Sequence, residues 1–374
     1  MEIHDLLRQA DSKRASDLHL VVACPPLLRI DGVLGPIEDA PAMTTEDINQ
    51  VFAQITTPQQ REMFDRDLEL DFAYKMPEGW PLRCNACQQQ GSLSLAFRLL
   101  APIIPTVDDL GLPQICKDLI MRPRGLIVVT GPTGSGKSTT LAAMIQHLNE
   151  TERRYVITIE DPVEYVHPNI KCAVSQRQLA ADTLSFSSAL KHVLRQDPDV
   201  ILVGEMRDLE TAAAVLTVAE TGHLILSTGH APSSAQSVER IVDLFPPHER
   251  PMAQARLASL LIGVLCQVLV PRKNGGRVAA VEIMLANPAI KNLIRDGKSY
   301  LLHNTIRTHG HTGMQTLDSA LVEIFQKGII DWADVLAYCQ DMQEVEKLAR
   351  DSSANHVNSR TSLPLSARAN SLEN

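Results

Sequence analysis

Four short apolar runs recur between residues 126 and 228: Leu-Ile-Val-Val-Thr at 126–130, Tyr-Val-Ile-Thr-Ile at 155–159, Val-Ile-Leu-Val-Gly at 200–204 and Leu-Ile-Leu-Ser-Thr at 224–228. Helix-length segments separate them. Runs of this kind, without polar alternation, predict strands buried on both faces, hence a parallel sheet covered by helices. The first hundred residues read differently. A helical opening at Ile3, Leu6 and Leu7 is followed by short alternating pieces, such as those at 17–22 and 93–100, which predict a small α+β domain. Pro102, Pro105 and Pro113 argue against regular structure between the two patterns. The expected organisation is therefore a small domain over 1–99, a linker over 100–113 and an α/β domain over 114–350. The Ser- and Asn-rich end, 351–374, is expected to be disordered. The longest apolar stretch, 257–270, is interrupted by Ser259 and Gln267 and closed by Pro271, too short for a membrane span, and is expected to be a buried helix.

The sharpest chemical signal follows the first apolar run. Gly131, Pro132, Thr133, Gly134, Ser135, Gly136, Lys137 and Ser138, with Thr139 behind them, match G-x-x-x-x-G-K-[ST] in full. The loop opens a segment in which Leu141, Met144, Ile145 and Leu148 repeat at helical spacing. Glycines let backbone N–H groups curl round a phosphate, and the helix N-terminus adds positive dipole. Lys137 reaches the β and γ phosphates, and Ser138 offers an oxygen to Mg²⁺. ATP and Mg²⁺ are the ligands this pattern requires. Hydrolysis also needs a carboxylate near the γ phosphate. Glu160 and Glu205 end apolar runs, where ligands of parallel sheets sit. The alternative role for either acid is to cap the next helix or to pair with Arg207. Gly204 stands where many phosphate-loop enzymes place an Asp. His223 and His230 bracket the fourth run, and an imidazole there could sense the γ phosphate or be an ordinary loop histidine.

Composition narrows the partners. Forty-four acids against thirty-five Lys and Arg leave a formal charge of -9, and the chain has only two Trp, five Tyr and seven Phe. Both facts argue against a nucleic-acid load, which calls for a basic groove with stacking aromatics. The start of the chain has no basic leader before an apolar run, so a cytoplasmic location is expected. Seven scattered cysteines are no disulfide framework, and the single C-x-x-C pair, Cys84 and Cys87, has no second pair to complete a zinc site.

Taken together these boxes resemble the ATPases of type II secretion and type IV pili, and within them the PilT group of twitching-motility retraction ATPases. The resemblance rests on Ala15-Ser-Asp-Leu-His-Leu20, Ile159-Glu-Asp-Pro-Val-Glu164, the run from Asp197 to Asp208, Glu220-Thr-Gly-His-Leu224 and Gly313-Met-Gln-Thr-Leu-Asp318. It covers residues 1 to about 345. It implies a RecA-like P-loop core with a smaller N-terminal α+β PAS-like domain, and a homohexamer that binds Mg-ATP and hydrolyses it to retract a pilus. By position it assigns Lys137 and Ser138 to phosphate and metal, Glu160 and Glu205 to water activation and metal, and His223 and His230 to a histidine box. Arg83 and Arg98 become arginine fingers. It implies work at the inner-membrane platform protein, indirectly on the pilin fibre, with a second retraction ATPase as a further partner. It also places apolar residues at both cysteine positions, so the thiols are expected to act as small hydrophobes. Pro288-Ala-Ile-Lys-Asn-Leu-Ile294 is similar to the retraction group's helix signature, with Lys291 where Arg is usual. This favours retraction over assembly or type II secretion. The histidine box departs from the usual T-L-H-T, reading Thr228-Gly-His-Ala231. Gly229 is expected to loosen this segment and Ala231 to lose a hydroxyl, which would suit an accessory ATPase or a non-hydrolysing scaffold.

Overall fold

In the computed structural model of the protein, residues 2–13, 15–30, 32–99 and 104–350 are described. The tail expected to be disordered, 351–374, and the first part of the expected linker lie outside them. The chain divides into two compact units, Met1–Ile103 with Glu164–Val166, and Ile104–Val163 with His167–Asn374.

The first unit holds α1 (Ile3–Ser12), β1 (Asp17–Leu20), β2 (Leu27–Ile30), β3 (Val33–Pro36), α2 (Thr45–Ile55), α3 (Pro58–Asp67), β4 (Glu69–Lys75), β5 (Pro81–Gln89) and β6 (Ser92–Leu99). Its six strands form one sheet in the order β3-β2-β1-β6-β5-β4. Every pairing is antiparallel. Alternate residues of β6, Leu93, Leu95 and Phe97, are buried against Ile3, Leu7, Ile48 and Phe52 of the helices. This is the alternation of a sheet with one covered face. Cys84 and Cys87 lie three apart on β5, so the strand turns them to opposite faces. They cannot share a metal ion. Burial pushes the Cys84 thiol well up, and it sits in the core as a small hydrophobe.

The second unit begins with α4 (Ile115–Ile120), β7 (Gly125–Thr130), α5 (Lys137–Thr151), β8 (Tyr155–Glu160), β9 (Ala173–Gln178) and α6 (Phe186–Val193). It continues with β10 (Val200–Glu205), α7 (Leu209–Glu220), β11 (Leu224–Thr228), α8 (Ser234–Asp243), α9 (Arg250–Leu260), β12 (Leu261–Pro271) and β13 (Arg277–Leu285). The helices α10 (Pro288–Arg295), α11 (Leu302–Thr308), α12 (Leu317–Gln326) and α13 (Trp332–Tyr338) close it. Seven strands form the order β13-β12-β7-β11-β10-β8-β9, parallel except for the β12–β13 hairpin. The expected two-sided burial is present in register. Leu126, Val128, Ile157, Ile159, Ile201 and Val203 pack with α6 to α11 on one face, and Ile127, Val129, Val156, Val200 and Leu202 pack with α4 and α5 on the other.

The run 257–270 is not the buried helix expected from its composition. The helix α9 ends at Leu260, and β12 runs from Leu261 to Pro271 between β7 and β13. An apolar run carries no periodicity to separate a buried strand from a buried helix, and here pairing on both edges satisfies the backbone. Among the described residues no helix is long and apolar enough to cross a membrane. The helix resembling the retraction signature, α10, buries Ile290 and Ile294. Its Lys291 donates to Ser259 O in the last turn of α9 at 3.3 Å, so the lysine still satisfies a helix end.

Candidate active site

The phosphate loop leaves the carboxyl end of β7 and enters α5. Gly131 has φ 141°, and a Cβ there would lie 2.2 Å from Gln267 O and 2.8 Å from Ser135 Oγ. Only glycine fits. Pro132, Thr133 and Gly134 are exposed at the loop's crest, while Ser138 and Thr139 are half-buried in the first turn of α5. The helix is capped by Gly136, with no side chain to accept its first N–H groups, which leaves them for an anion. Ser135 Oγ is buried without a partner among the described residues. Lys137 Nζ donates to Gly131 O and Pro132 O, both at 3.0 Å. An ammonium folded onto loop carbonyls, beside a ring of N–H groups, fits a polyphosphate.

Strand order arranges the rest. Counting outward from β7 come β11, β10 and β8, each about 4.8 Å further. His230 follows β11 and is nearest, Glu205 ends β10, and Glu160 ends β8. His230 Nδ1 lies 3.5 Å from Lys137 Nζ, and its Nε2 lies 3.2 Å from Glu205 Oε1. This geometry suits a ring whose Nε2–H donates to the carboxylate and whose Nδ1 accepts from the lysine. Arg207 Nε donates to Glu205 Oε2 at 2.6 Å, so Glu205 takes the arginine and faces the histidine together. The register of β10 on β11 slips between Val203 and Glu205, a bulge that re-aims Glu205. Gly204 sits at that bulge, its oxygen accepting from Thr228 Oγ1. A Cβ on Gly204 would already touch Ile159 O and the Phe186 ring at 3.4 Å, which leaves little room for an Asp.

Two residues do not join this group. Glu160 accepts from Thr158 Oγ1 at 2.6 Å and from Gln176 Nε2 at 3.1 Å, one strand beyond Glu205. His223 lies at the amino end of β11, where its backbone oxygen accepts from Gly125 N and its ring meets Thr221 Oγ1 at 2.8 Å. In a parallel sheet that is the end opposite the phosphate loop. Flanking a strand therefore separates His223 from His230 by the strand's length. The expected loosening at Gly229 is not seen either. Gly229 has no left-handed φ, and its N–H donates to Val129 O at 3.0 Å. Ala231 is 3 % exposed, and both of its backbone groups bond Thr130 Oγ1, N at 2.9 Å and O at 3.1 Å. The hydroxyl missing from position 231 is matched by one on β7.

Thr130 and Gln267 are the residues that the motif reading passed over. Gln267 is 1 % exposed on β12; its Nε2 donates to Ser135 O at 2.5 Å, and its Oε1 accepts from Thr140 Oγ1 at 2.9 Å. The only signal for it in the sequence is a lone amide inside an apolar run. In the first unit Arg83 and Arg98 are direct partners across β5 and β6, both exposed on the outer face. Arg98 Nε donates to Asp17 Oδ1 at 2.9 Å. Like charges held opposite one another repel unless an anion lies between them.

Residues 2–337 match the family described as type II/IV secretion system protein. The chain belongs to this family. It is 45% identical over 330 residues to the type IV pilus retractation ATPase PilT of Pseudomonas aeruginosa, covering 88% of this chain and 96% of that one. It is 37% identical over 365 residues to the type IV pilus ATPase PilU of the same organism, covering 96% and 95%. The crystal structure of the pilus retraction motor PilT with bound ADP matches with a TM-score of 0.86 at 40% identity, over 93% of this chain and 99% of that one. The resemblance to the PilT group is thus borne out. With its phosphate loop in place, the family member described here is an ATP hydrolase.

Proposed function

We propose that this chain is a hexameric motor that couples Mg-ATP hydrolysis to type IV pilus retraction and twitching motility, docked at the cytoplasmic side of the inner membrane on the platform protein. The observation that carries the reading is the contact series Lys137–His230–Glu205 across the ends of β7, β11 and β10, in a chain similar to PilT along nearly its whole length. The residues act in sequence. Lys137 leaves the loop carbonyls for the β and γ phosphates, which the N–H groups of 133–138 also hold. His230 loses its lysine neighbour and so reports that phosphate has arrived. Glu205, through its side-chain oxygens as acceptors, orients the attacking water. Ser138, with Glu205 nearby, would hold Mg²⁺, and the ion would supply neutralisation of phosphate charge. Arg83 and Arg98 are the candidates to meet the charge that develops on the γ phosphate, a role worth about 10³ to 10⁵ in rate where such fingers act.

The test is deletion of the gene in its host, scored for twitching and for surface fibres. Loss of twitching with fibres retained supports retraction, whereas loss of fibres means assembly. Lys137→Ala must fail to complement, and Arg98→Ala must lose turnover while still binding nucleotide. A second reading, an accessory retraction ATPase acting beside another, is motivated by the departure of Thr228-Gly-His-Ala231 from the usual histidine box. Under that reading the deletion strain still twitches when the partner ATPase is overproduced.

A further inference from the structure

Outside every motif of the site stands the hairpin of β12 and β13. Adjacent strand residues face opposite ways, so Gln267 points to the α5 side of the sheet while Cys266 points to the α8 side. Cys266 and Glu282 are direct cross-strand partners and share that second side. Gln267 touches the phosphate loop at two places and the first turn of α5 at a third: its backbone oxygen crowds Gly131, its Nε2 donates to Ser135 O, and its Oε1 accepts from Thr140 Oγ1. On the other side Glu282, 1 % exposed, accepts from Ser234 N at 2.6 Å through Oε1. Ser234 is the first residue of α8 and lies four residues after His230. Burial pushes the Cys266 thiol up to about 12, so it stays protonated and donates to Ala231 O at 3.6 Å. Glu282 Oε2 and Ser234 Oγ are both buried without partners among the described residues. A half-paired buried carboxylate costs stability, so an apolar residue would serve the core better. Its geometry is explained by what it holds.

We propose that the β12–β13 hairpin is a two-sided positioning element of the ATPase site, with Gln267 setting the shape of the phosphate loop and Glu282 setting the segment that carries His230. The two sides have separate consequences. The loop governs nucleotide affinity, and the histidine segment governs turnover of bound nucleotide.

The proposal rests on the phosphate loop being the ATP site, which binding of ADP to the wild-type hexamer checks by itself. Four variants then test it by equilibrium ADP binding, steady-state ATPase and thermal melting. Gln267→Met, of similar shape, should raise the ADP Kd about tenfold with kcat at saturating ATP within about threefold. Glu282→Leu should lower kcat about tenfold with the ADP Kd within about twofold, and Glu282→Gln, which keeps an acceptor for Ser234 N, should recover most of it. Ser234→Pro removes the N–H donor together with a hydroxyl that has no partner among the described residues, at a first helical position that tolerates proline and after an extended Ser233, and should reproduce the kcat loss even if Glu282→Leu fails to fold. Lower melting temperatures with Kd and kcat unchanged, or parallel losses in both for every variant, would overturn the proposal. If wild-type protein does not bind ADP, the ATP-site reading fails first and the proposal with it.

Discussion

The phosphate loop and the histidine segment end neighbouring strands, β7 and β11, and are held by opposite means. In the loop the motif residues themselves make the contacts, to one another and to Gln267. Gly131 is pressed against Gln267 O, Gly136 leaves the helix uncapped, and Lys137 spans the turn. In the histidine segment the residues around His230 are small and chemically silent, and the support comes from elsewhere. Thr130 bonds both backbone groups of Ala231. The contrast teaches that a departure from a family's usual letters need not loosen a segment when its backbone, rather than its side chains, is the part that is gripped.

Four outcomes would break or sharpen this contrast. The largest concerns the residue that His230 faces. Glu205→Gln keeps the shape and removes the charge, and should lower turnover by about 10²-fold or more with ADP affinity within about threefold. Glu160→Gln, one strand further out, should lose less; the reverse ranking would return the role of base to Glu160. Next comes a pair of glycine replacements read by ADP titration. Gly131→Ala should weaken binding about 100-fold because its Cβ would meet Gln267 O at 2.2 Å. Gly229→Ala should weaken binding and turnover by no more than about tenfold, since at an ordinary φ its Cβ would stand 3.2 Å from Thr130 Oγ1, a tight contact that a small shift of the hydroxyl relieves. Equal effects at the two positions would erase the distinction drawn between the segments.

Thr130→Val tests the external grip. It leaves Ala231 N without its partner and Ala231 O with only the Cys266 thiol in a buried place, and should cost about 2 kcal/mol in chemical denaturation together with a fall in turnover. Retained stability would mean that the segment is held by other contacts. The last effect is set by pH. Burial holds the His167 imidazole down, to about 4 against an ordinary 6.5, and its Nδ1 has no partner among the described residues. Below pH 6.5 the unfolded chain therefore binds a proton that the folded chain refuses. Stability present above pH 6.5 is lost as the pH falls toward 4, by at most about 1.4 kcal/mol per pH unit. His167→Leu should flatten the melting temperature between pH 7 and 5. An unchanged slope would assign the acid sensitivity to other groups.

Legibility along the chain followed the kind of constraint. The buried parallel strands were readable because a strand covered on both faces leaves an unbroken apolar run, as at 126–130 and 200–204. The phosphate loop was readable because its backbone geometry demands glycine at fixed spacing. The strand β12 was misread as a helix because an apolar run has no period, and only its pairing with β7 and β13 decides the matter. His223 was grouped with His230 because both flank one strand, and strand direction is what parts them. Gln267 and Thr130 left faint traces, since a single amide or hydroxyl in an apolar run carries no spacing pattern.

The sequence by itself therefore determined the α/β class, the phosphate loop, the family and the set of acids and histidines worth considering. These rest on local rules of period, turn geometry and residue chemistry, which act over a few neighbouring positions. Only the tertiary structure decided which of those residues meet. The order β7-β11-β10-β8 brings Lys137, His230 and Glu205 into one contact series and leaves Glu160 a strand further away. It also delivers Gln267 to a loop 132 residues earlier in the chain. Such meetings depend on how sheet order folds distant segments together, and no spacing within a single segment encodes that.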